Sequence, residues 1–468
     1  MPAVVSAREV AAACGGRVVR GDPSVVLEGV GTDSRQVMRG QLFVALRGQR
    51  HDGHRFVDRA LAAGAGGAMV EQGRLDCVPD GPWPVVEVQD SLRALQELAA
   101  WWRTRLAAQV LAVTGSVGKT TTKEMMAAIL GCRHKVVRAP ASYNNEVGVP
   151  LALLQAGPET QAVVLELAMR GPGQIAQLAQ LCRPQVGVIT NVGESHLELL
   201  QSREAIARAK GELLEHLPAG GTAVLNADDA LVMSQAHRCP PGCRTITFGS
   251  RQADVVYDRV EGGGLGGTRF RLRTPWGEVH CRLGVPGAHL VANAAAAAAA
   301  ALAAGALLQD VEEGLASFSG SAMRMQVVRA GGAVVLHDAY NASPTSVRAA
   351  LATLARVAAE ERLRAVAVLG DMLELGPESE QLHQQVGRLA AQSGVQWLVT
   401  VGRWAQATAR GAQEGGMPAE AIHQVQDAEE AARVVRGRVG PGDVVLVKGS
   451  RAVGLERVVQ ALGEEEPR

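Results

Sequence analysis

The segment that most constrains the fold is VLAVTGSVGKTTTKEMMAAILG, residues 110–131. Its first residues form an apolar run, which predicts a buried strand. Gly115 and Gly118 lie in the loop that follows, and the remaining residues predict a helix that ends near Gly131. Glycines let backbone N–H groups approach a phosphate closely, and the start of a helix adds positive potential at the same point. The segment therefore predicts a nucleotide-binding unit built on a parallel sheet.

The loop departs from the common phosphate-loop pattern G-x-x-x-x-G-K-[ST], because Val113 stands where that pattern has its first glycine. The end of the loop still predicts phosphate binding. Lys119 would neutralise the β- and γ-phosphates, and the Thr120 hydroxyl would ligate Mg²⁺. The residues expected to contact the nucleotide here are Thr114, Gly115, Ser116, Val117, Gly118, Lys119, Thr120 and Thr121.

More apolar segments follow, each with a turn and a helical stretch after it. The segments AVVLEL, VGVIT and TAVLN predict buried parallel strands, because they are apolar on both faces. Glu166 lies near the carboxyl end of the first of them, at the edge where open α/β sheets place their ligands. Beside a phosphate loop, this carboxylate is a candidate Mg²⁺ ligand.

Three domains are predicted from the length and from the order of these patterns. The chain has 468 residues, and a domain takes roughly 150 residues. Residues 1–106 predict a small mixed α/β domain. Residues 107–319 predict a central phosphate-loop ATPase-like parallel sheet, with an antiparallel insert from about 254 to 283 and an alanine-rich helix after it. Residues 320–468 alternate strands and helices again, which predicts a Rossmann-like doubly wound C-terminal domain in an α/β protein.

Composition argues against nucleic acid and membrane partners. Lys plus Arg and Asp plus Glu both count 47, so the net charge of zero gives no basic surface for a polyanion. The seven cysteines show no framework spacing, which is typical of a reducing compartment. The N-terminus lacks the pattern of a signal peptide, and the run HLVANAAAAAAAALAAGALL favours a tightly packed soluble helix over a transmembrane segment. We expect a cytoplasmic monomer that acts on small molecules.

Motifs along nearly the whole chain, from Thr32 to about Val459, carry a resemblance to a known family. In order, they read VTGSVGKTTTKE, SYNNEVGVPLALL, ELAMRGPGQIA, NVGESHLE, AKGELLEHL, LNADD, GAHLVANAAAA, MRMQ and VKGSRAVGLERVV. This series resembles the Mur ligases, which join amino acids or peptides to cell-wall precursors. Members of that family use a shorter loop, T-G-x-x-G-K-[ST], which residues 114–120 match.

The resemblance implies roles for residues that the patterns alone leave open. It implies that Glu166 and His196 bind metal, and that Lys210 stands where family members carry a lysine that CO₂ can convert to a metal-binding carbamate. Two Mg²⁺ ions are expected. The resemblance also implies two further sets of contacts. The ATP contacts are Asn293, Arg324 and Asp338. The substrate contacts are Ser34, Arg35, Asn144, Asn145, Tyr340 and Asn341.

The string HDAYNASPTSVRAAL narrows the expected reaction, because its D-A-Y-N-A-x-P form resembles the family member that adds a dipeptide. It implies an ATP-dependent ligase that joins D-alanyl-D-alanine to UDP-N-acetylmuramoyl-tripeptide through an acyl-phosphate. The alternatives are a ligase that adds the third peptide residue, a folylpolyglutamate synthase, and, from a different class, a phosphate-loop GTPase or kinase. A nucleotide-binding module without catalysis is a further alternative.

Three residues depart from the family pattern. Ala168 stands where glycine is usual, Ser195 where alanine is common, and Gln201 where glycine is frequent. These changes are conservative in size or lie beside the expected ligands, so they affect the expected fine geometry and not the reaction.

Overall fold

The computed structural model describes residues 2–48, 51–140, 143–194 and 197–463, and these residues form three larger sheets and one two-stranded ribbon. The larger sheets follow one another along the chain, as expected for a three-domain α/β protein. No helix within the described ranges has the length and apolarity needed to cross a membrane.

The first unit combines a sheet with helices, as expected for a small mixed α/β domain, and the sheet contains both parallel and antiparallel pairs. Its strand order is β2-β7-β6-β5-β4, with β2 antiparallel to β7 and the other pairs parallel, while β1 and β3 form the ribbon. The strands are β1 (Val4–Ser6), β2 (Arg17–Arg20), β3 (Val26–Glu28), β4 (Val30–Gly31), β5 (Leu42–Val44), β6 (Gly67–Glu71) and β7 (Val85–Val88). The helices are α1 (Ala7–Ala13), α2 (Val57–Ala62) and α3 (Ser91–Arg103).

The central sheet has the order β16-β15-β14-β13-β12-β11-β8-β10-β9. Its strands are β8 (Gln109–Thr114), β9 (Val136–Arg138), β10 (Ala162–Glu166), β11 (Val186–Ile189), β12 (Thr222–Asn226), β13 (Arg244–Gly249), β14 (Val255–Gly264), β15 (Gly267–Thr274) and β16 (Gly277–Leu283). Its helices are α4 (Lys119–Gly131), α5 (Gly148–Leu153), α6 (Gln174–Cys182), α7 (Leu197–Leu200), α8 (Arg203–Glu215), α9 (Ala230–Met233), α10 (Leu290–Ala303) and α11 (Leu308–Ser317). The predicted strands β8, β10, β11 and β12 pair in parallel, which confirms the interpretation of their two-sided apolar patterns.

The predicted antiparallel insert is confirmed as strands β14 to β16, but it continues the central sheet instead of forming a separate layer. Val255 and Val256, at the start of β14, pair in parallel with Phe248 and Gly249 of β13. The sequence missed this join, because β13 begins with two exposed residues, Arg244 and Thr245, and so lacks the two-sided apolar pattern of the other central strands.

The alanine-rich segment is a buried helix, α10, as the sequence predicts. Residues 294–301 are eight consecutive alanines with no exposed surface. Side chains this small let α10 approach helix α4 and the central strands closely, and its first turn carries Asn293 to the phosphate loop. Helix α10 therefore connects the buried core of the central unit to the phosphate loop.

The C-terminal sheet has the order β17-β18-β22-β19-β20-β21, parallel except for the edge strand β17. The strands are β17 (Gln326–Ala330), β18 (Ala333–Asp338), β19 (Arg364–Gly370), β20 (Trp397–Val401), β21 (Ile422–Val425) and β22 (Asp443–Lys448). The helices are α12 (Pro344–Glu361), α13 (Ser379–Gln392), α14 (Ala405–Glu414), α15 (Ala428–Arg436) and α16 (Glu456–Gly463). Separate apolar clusters cover the two faces of this sheet, which confirms the doubly wound arrangement.

The predicted domain boundaries lie between the sheets. Residue 106 falls between α3 and β8, and residue 319 falls between α11 and β17. The boundaries themselves stay a prediction, because helix α3 packs on α5 and α6 and so belongs by its contacts to both of the first two units.

Polar contacts also cross between the three units. The Arg103 guanidinium at the end of α3 donates to the Cys182 carbonyl at 2.9 Å, which attaches the N-terminal unit to the central one. The Thr345 hydroxyl of the C-terminal unit donates to the Glu194 carboxylate at 2.9 Å. These contacts hold the first and third units against the central sheet.

Helices α13 and α14 cross at glycines, and this contact gives a test of the C-terminal packing. A Cβ atom at Gly411 would stand 1.8 Å from the carbonyl oxygen of Gln384. We expect Gly411→Ala to lower the free energy of unfolding by about 1–3 kcal/mol, because the helices must move apart. Gly440→Ala is the control, since a Cβ there meets nothing within 4 Å. Equal midpoints of denaturant unfolding for the two variants would contradict the described crossing.

Candidate active site

The phosphate loop joins β8 to α4 and requires glycine at two positions. Gly115 and Gly118 have φ angles of 148° and 88°, which side-chain-bearing residues rarely adopt. Space is equally limiting, because a Cβ at Gly115 would lie 1.9 Å from the Thr190 hydroxyl and one at Gly118 would lie 2.3 Å from Oδ1 of Asn293. Both predicted loop glycines are therefore needed for geometry.

Val113 explains why the longer pattern fails. It is fully buried in β8, between Glu166 of β10 and Val188 of β11 in the sheet register. The strand continues through this position, so the loop starts later than in the longer pattern and a glycine there would remove a core side chain.

A second loop, after β11, holds the phosphate loop in place. The Asn191 side chain accepts from the Val117 N–H and donates to the Val117 carbonyl, both at 2.9 Å. The Thr190 hydroxyl donates to the same carbonyl at 2.7 Å, and the Ser116 N–H donates to the Asn191 carbonyl at 2.9 Å. Sequence reasoning missed Thr190 and Asn191, although polar residues directly after the buried strand VGVI were a signal.

Glu166 lies at the carboxyl end of β10 and is only 1% exposed. Its carboxylate accepts from the Thr120 hydroxyl at 2.5 Å and from the Asn144 side-chain amide at 2.9 Å. The structure therefore brings together three residues that were predicted on different segments. Hydroxyl and carboxylate oxygens side by side at a phosphate loop suit Mg²⁺, which prefers hard oxygen ligands.

Charges from two domains keep Glu166 ionised. Burial alone raises the pKa of this carboxyl, but the Lys119 ammonium and the Arg324 guanidinium, helped by the two hydrogen bonds, outweigh burial and hold the pKa below its usual value. The carboxylate is therefore available as a ligand at neutral pH.

Lys119 lies over the loop that precedes it. Its ammonium donates to the carbonyls of Gly115 and Ser116 at 2.9 and 3.3 Å. Burial lowers the pKa of Lys119, the Glu166 charge opposes that change, and Arg324 adds to it. The first turn of α4 thus presents a cation at the loop.

Lys210 is a buried lysine on α8, 2% exposed. Among the described residues, the Lys210 ammonium has no hydrogen-bond or ion-pair partner. Burial, with a smaller contribution from the Lys119 charge, holds its pKa well below the usual value. A lysine amine that loses its proton so easily is nucleophilic, as a lysine that reacts with CO₂ must be.

His196, the other predicted metal ligand, lies outside the described residues. Within them, no group of three or more His, Cys, Asp or Glu side chains could hold a metal ion. The predicted metal roles of Thr120, Glu166, His196 and Lys210 stay predictions.

The C-terminal unit contributes Arg324 to the same region. Its guanidinium lies 4.0 Å from the centre of the Tyr340 ring, in a cation–π contact. Because its charge acts on both Lys119 and Glu166, Arg324 lies near the phosphate loop. Asn293 reaches the loop from α10, beside Gly118.

Asp338 ends β18 and forms an ion pair that sequence reasoning missed. The buried Lys448 ammonium donates to its carboxylate at 2.6 Å and to the Asn341 carbonyl at 3.0 Å. The signal was available, because Lys448 lies at the end of the apolar strand DVVLV, in the motif VKGS.

Three predicted substrate contacts, Ser34, Arg35 and Asn145, have no long-range side-chain hydrogen bond to another described residue. Ser34 is buried, and Arg35 is exposed with its guanidinium bound to the Asp33 carboxylate at 2.7–3.2 Å. Asn145 accepts from the Gly148 N–H at 2.9 Å, at the start of α5. Their roles in substrate binding stay predictions.

An open cavity of about 810 Å³ lies between helix α3 and helix α6. Its wall includes Gln96 and Gln174, and it reaches Glu146 and Ala168, which follow the site residues Asn145 and Glu166 closely in sequence. The cavity is therefore lined both by helix α3 and by residues of the segments that follow Asn145 and Glu166.

The site combines a phosphate loop, a buried carboxylate opposite it and a cation from the C-terminal unit. These features define the class of ATP-dependent ligases, and family comparison gives the same class. Three family models match: the Mur ligase family catalytic domain at residues 26–103, the Mur ligase middle domain at 113–301, and the Mur ligase glutamate ligase domain at 323–451. The chain belongs to the Mur ligase family.

Individual proteins are also similar to this chain over nearly their whole length. The chain is 36% identical over 455 residues to UDP-N-acetylmuramoyl-tripeptide--D-alanyl-D-alanine ligase of Escherichia coli K12, which covers 94% of each chain. It is similar in structure to MurF from Acinetobacter baumannii, with a TM-score of 0.86, 32% identity and coverage of 99% and 100%. It is also similar to the MurF ligase of Thermotoga maritima in complex with ADP, with a TM-score of 0.77, 30% identity and coverage of 93% and 97%.

The isolated amine of Lys210 predicts a gain of stability on its removal. A lysine whose folded pKa is depressed binds fewer protons in the folded state, so its penalty is full below the folded pKa and disappears as the pH rises to the unfolded value. In buffer free of bicarbonate, we expect Lys210→Met to raise the thermal midpoint at pH 7 by roughly 2–4 °C, with a smaller difference near pH 10.

Lys123→Met is the matched control, because this lysine is also buried but has partners. Its ammonium donates to the Ala139 carbonyl at 2.5 Å and lies 3.0 Å from the Glu124 carboxylate, so its loss should lower the midpoint. A lower midpoint for Lys210→Met as well would contradict an unpartnered amine at that position.

Proposed function

We propose that this chain joins D-alanyl-D-alanine to the terminal carboxylate of UDP-N-acetylmuramoyl-tripeptide at the expense of ATP. The observation that carries the proposal is the convergence on Glu166 of Lys119 from the phosphate loop and Arg324 from the C-terminal unit. The relatives named above support the choice of substrates, as does the D-A-Y-N-A-x-P string at residues 338–344.

The nucleotide would lie between the central and C-terminal units. Loop N–H groups and the start of α4 would hold the phosphates, with Lys119 at the β- and γ-phosphates. Asn293, Arg324 and Asp338 would contact the adenine and ribose side. The ADP bound in the related Thermotoga maritima structure supports nucleotide binding by this fold.

The donor set at the loop suits Mg²⁺. Thr120 and Glu166 would hold one ion, and His196 and a carbamylated Lys210 would hold a second. When bound, Mg²⁺ neutralises charge on the phosphate oxygens. The low pKa of Lys210 supports the carbamate, because only the neutral amine reacts with CO₂.

Amide formation first requires an activated carboxylate. A carboxylate oxygen of the tripeptide attacks the γ-phosphorus, the bond to the β-phosphate oxygen breaks, and ADP leaves with the electron pair. Lys119 would offset the negative charge that this step crowds together. Asn144, whose side-chain amide donates to Glu166, would orient the acyl-phosphate.

The neutral amine of the dipeptide then attacks the acyl carbon. A tetrahedral intermediate forms, the amine loses its proton, and the carbon–oxygen bond to phosphate breaks to release phosphate. Tyr340 and Asn341, in the loop after β18, would face the incoming dipeptide. Packing of the C-terminal unit on the central one would keep water from the acyl-phosphate.

The tripeptide substrate would enter from the N-terminal side. Ser34 and Arg35 would hold its uridine nucleotide, and the cavity between α3 and α6 would lead its peptide toward Glu166. These three substrates are small molecules, and we propose that the chain acts on them in the cytoplasm as a monomer.

A closely related ligase with another amine substrate is the second candidate. It shares the ATP chemistry of the central unit, so the identity of the amine has to be tested directly. We would supply purified protein with ATP, Mg²⁺ and UDP-muramoyl-tripeptide ending in lysine or in diaminopimelate, and then add D-alanyl-D-alanine or single amino acids. Phosphate release and pentapeptide formation with the dipeptide alone are expected. Turnover with a single amino acid and none with the dipeptide would contradict the proposed reaction.

Lys119→Ala tests the role of the phosphate loop. We expect at least a hundredfold loss of kcat with an unchanged circular dichroism spectrum, because a cation that stabilises the transferred phosphoryl group is removed. Lys135→Ala, which removes a lysine outside the site, serves as the control and should retain full activity. An active Lys119→Ala enzyme would exclude the proposed contact with the phosphates.

A further inference from the structure

Lys448 is a buried cation that the reaction described above does not use. It ends β22 in the middle of the C-terminal sheet, and its side chain is 2% exposed. Its ammonium donates to Oδ2 of Asp338 and to the Asn341 carbonyl, which begin and end the loop after the neighbouring strand β18. One side chain thus closes this loop, residues 338–341, which we term the acceptor loop.

The acceptor loop is connected in turn to a second segment, residues 323–325, which we term the nucleotide turn. Oδ1 of Asp338 accepts from the Met325 N–H at 3.1 Å, and the Tyr340 N–H donates to the Met323 carbonyl at 3.2 Å. Met323 and Met325 have φ angles of 57° and 52°. Residues with side chains rarely adopt this conformation, so the turn depends on contacts such as these.

The nucleotide turn carries Arg324, whose guanidinium lies 4.0 Å from the Tyr340 ring centre and whose charge acts on Glu166 and Lys119. The acceptor loop carries Tyr340 and Asn341. A buried ammonium that fixes Asp338 therefore fixes one segment on the ATP side and one on the dipeptide side.

We propose that Lys448 is a positioning residue that couples the acceptor loop to the nucleotide turn, so that one ion pair sets the geometry of both substrate sites. The proposal rests on the proposed function. Loss of the ammonium leaves a largely buried carboxylate without its cation, and such a carboxylate rearranges or takes up a proton. Either change releases the bonds to both segments.

Kinetics of Lys448→Met test the coupling. We expect KM for ATP and KM for D-alanyl-D-alanine to rise about tenfold each, while KM for the uridine substrate, bound by the N-terminal unit, stays within about twofold. Affinity for ADP, measured by calorimetric titration of the whole chain, should fall by a similar factor. Lys448→Arg keeps the cation and should recover part of both effects.

Arg364→Met is the matched control for a purely structural role. Arg364 pairs with Asp443 at the opposite end of β22, at 2.7 and 2.8 Å, so its loss removes an ion pair from the same strand far from both segments. It should lower the thermal midpoint and leave every KM unchanged. The coupling is overturned if Lys448→Met behaves in the same way, or if only one of the two KM values responds.

The ADP titration separates this proposal from the proposed function, because it needs no turnover. If the wild-type chain makes no pentapeptide, the proposed function fails, and a loss of ADP affinity in Lys448→Met still supports the link from Lys448 to the nucleotide turn. Unchanged ADP affinity overturns that link whether or not the chain is active.

Discussion

A buried carboxylate, Glu166, is the group on which the rest of the site depends. An ionised carboxylate inside a protein is costly unless cations and hydrogen bonds compensate it. Here Lys119 and Thr120 compensate it from the phosphate loop, Asn144 from the loop before α5, and Arg324 from the C-terminal unit. Segments from two units must therefore meet at one point, and the charge of Glu166 specifies where they meet.

The charges around Glu166 also suit the substrates. Lys119 and Arg324 place two basic groups near Glu166, the Lys210 amine lies within reach of the Lys119 charge, and burial depresses the pKa of both lysines. Polyphosphate and carboxylate substrates bring the negative charge that such a site lacks. The same excess makes the substrate-free site a source of instability, since a buried amine without a partner weakens the folded state.

The sequence predicted what is encoded locally. Strands β8, β10, β11 and β12 could be predicted because both of their faces are apolar. The phosphate loop could be predicted because Gly115 and Gly118 adopt backbone conformations that favour glycine. The contacts of Asn191 and Lys448 were not predicted, because they depend on which strands are neighbours in the sheet. No single segment of the sequence determines the strand order. The edge strand β17 was missed because only its last residue, Ala330, is buried, so its sequence is not an apolar run. The role of Arg324 as an ATP contact was predicted only from the family resemblance.

Isotope transfer tests most directly whether the site activates a carboxylate by phosphorylation. The tripeptide would carry ¹⁸O in its terminal carboxylate, and the phosphate released on addition of ATP and D-alanyl-D-alanine would be examined by mass spectrometry. An acyl-phosphate keeps a carboxylate oxygen in its bridge, and attack by the amine leaves that oxygen on phosphorus. The account predicts one ¹⁸O atom in each phosphate released. Unlabelled phosphate, formed together with the pentapeptide, would contradict it.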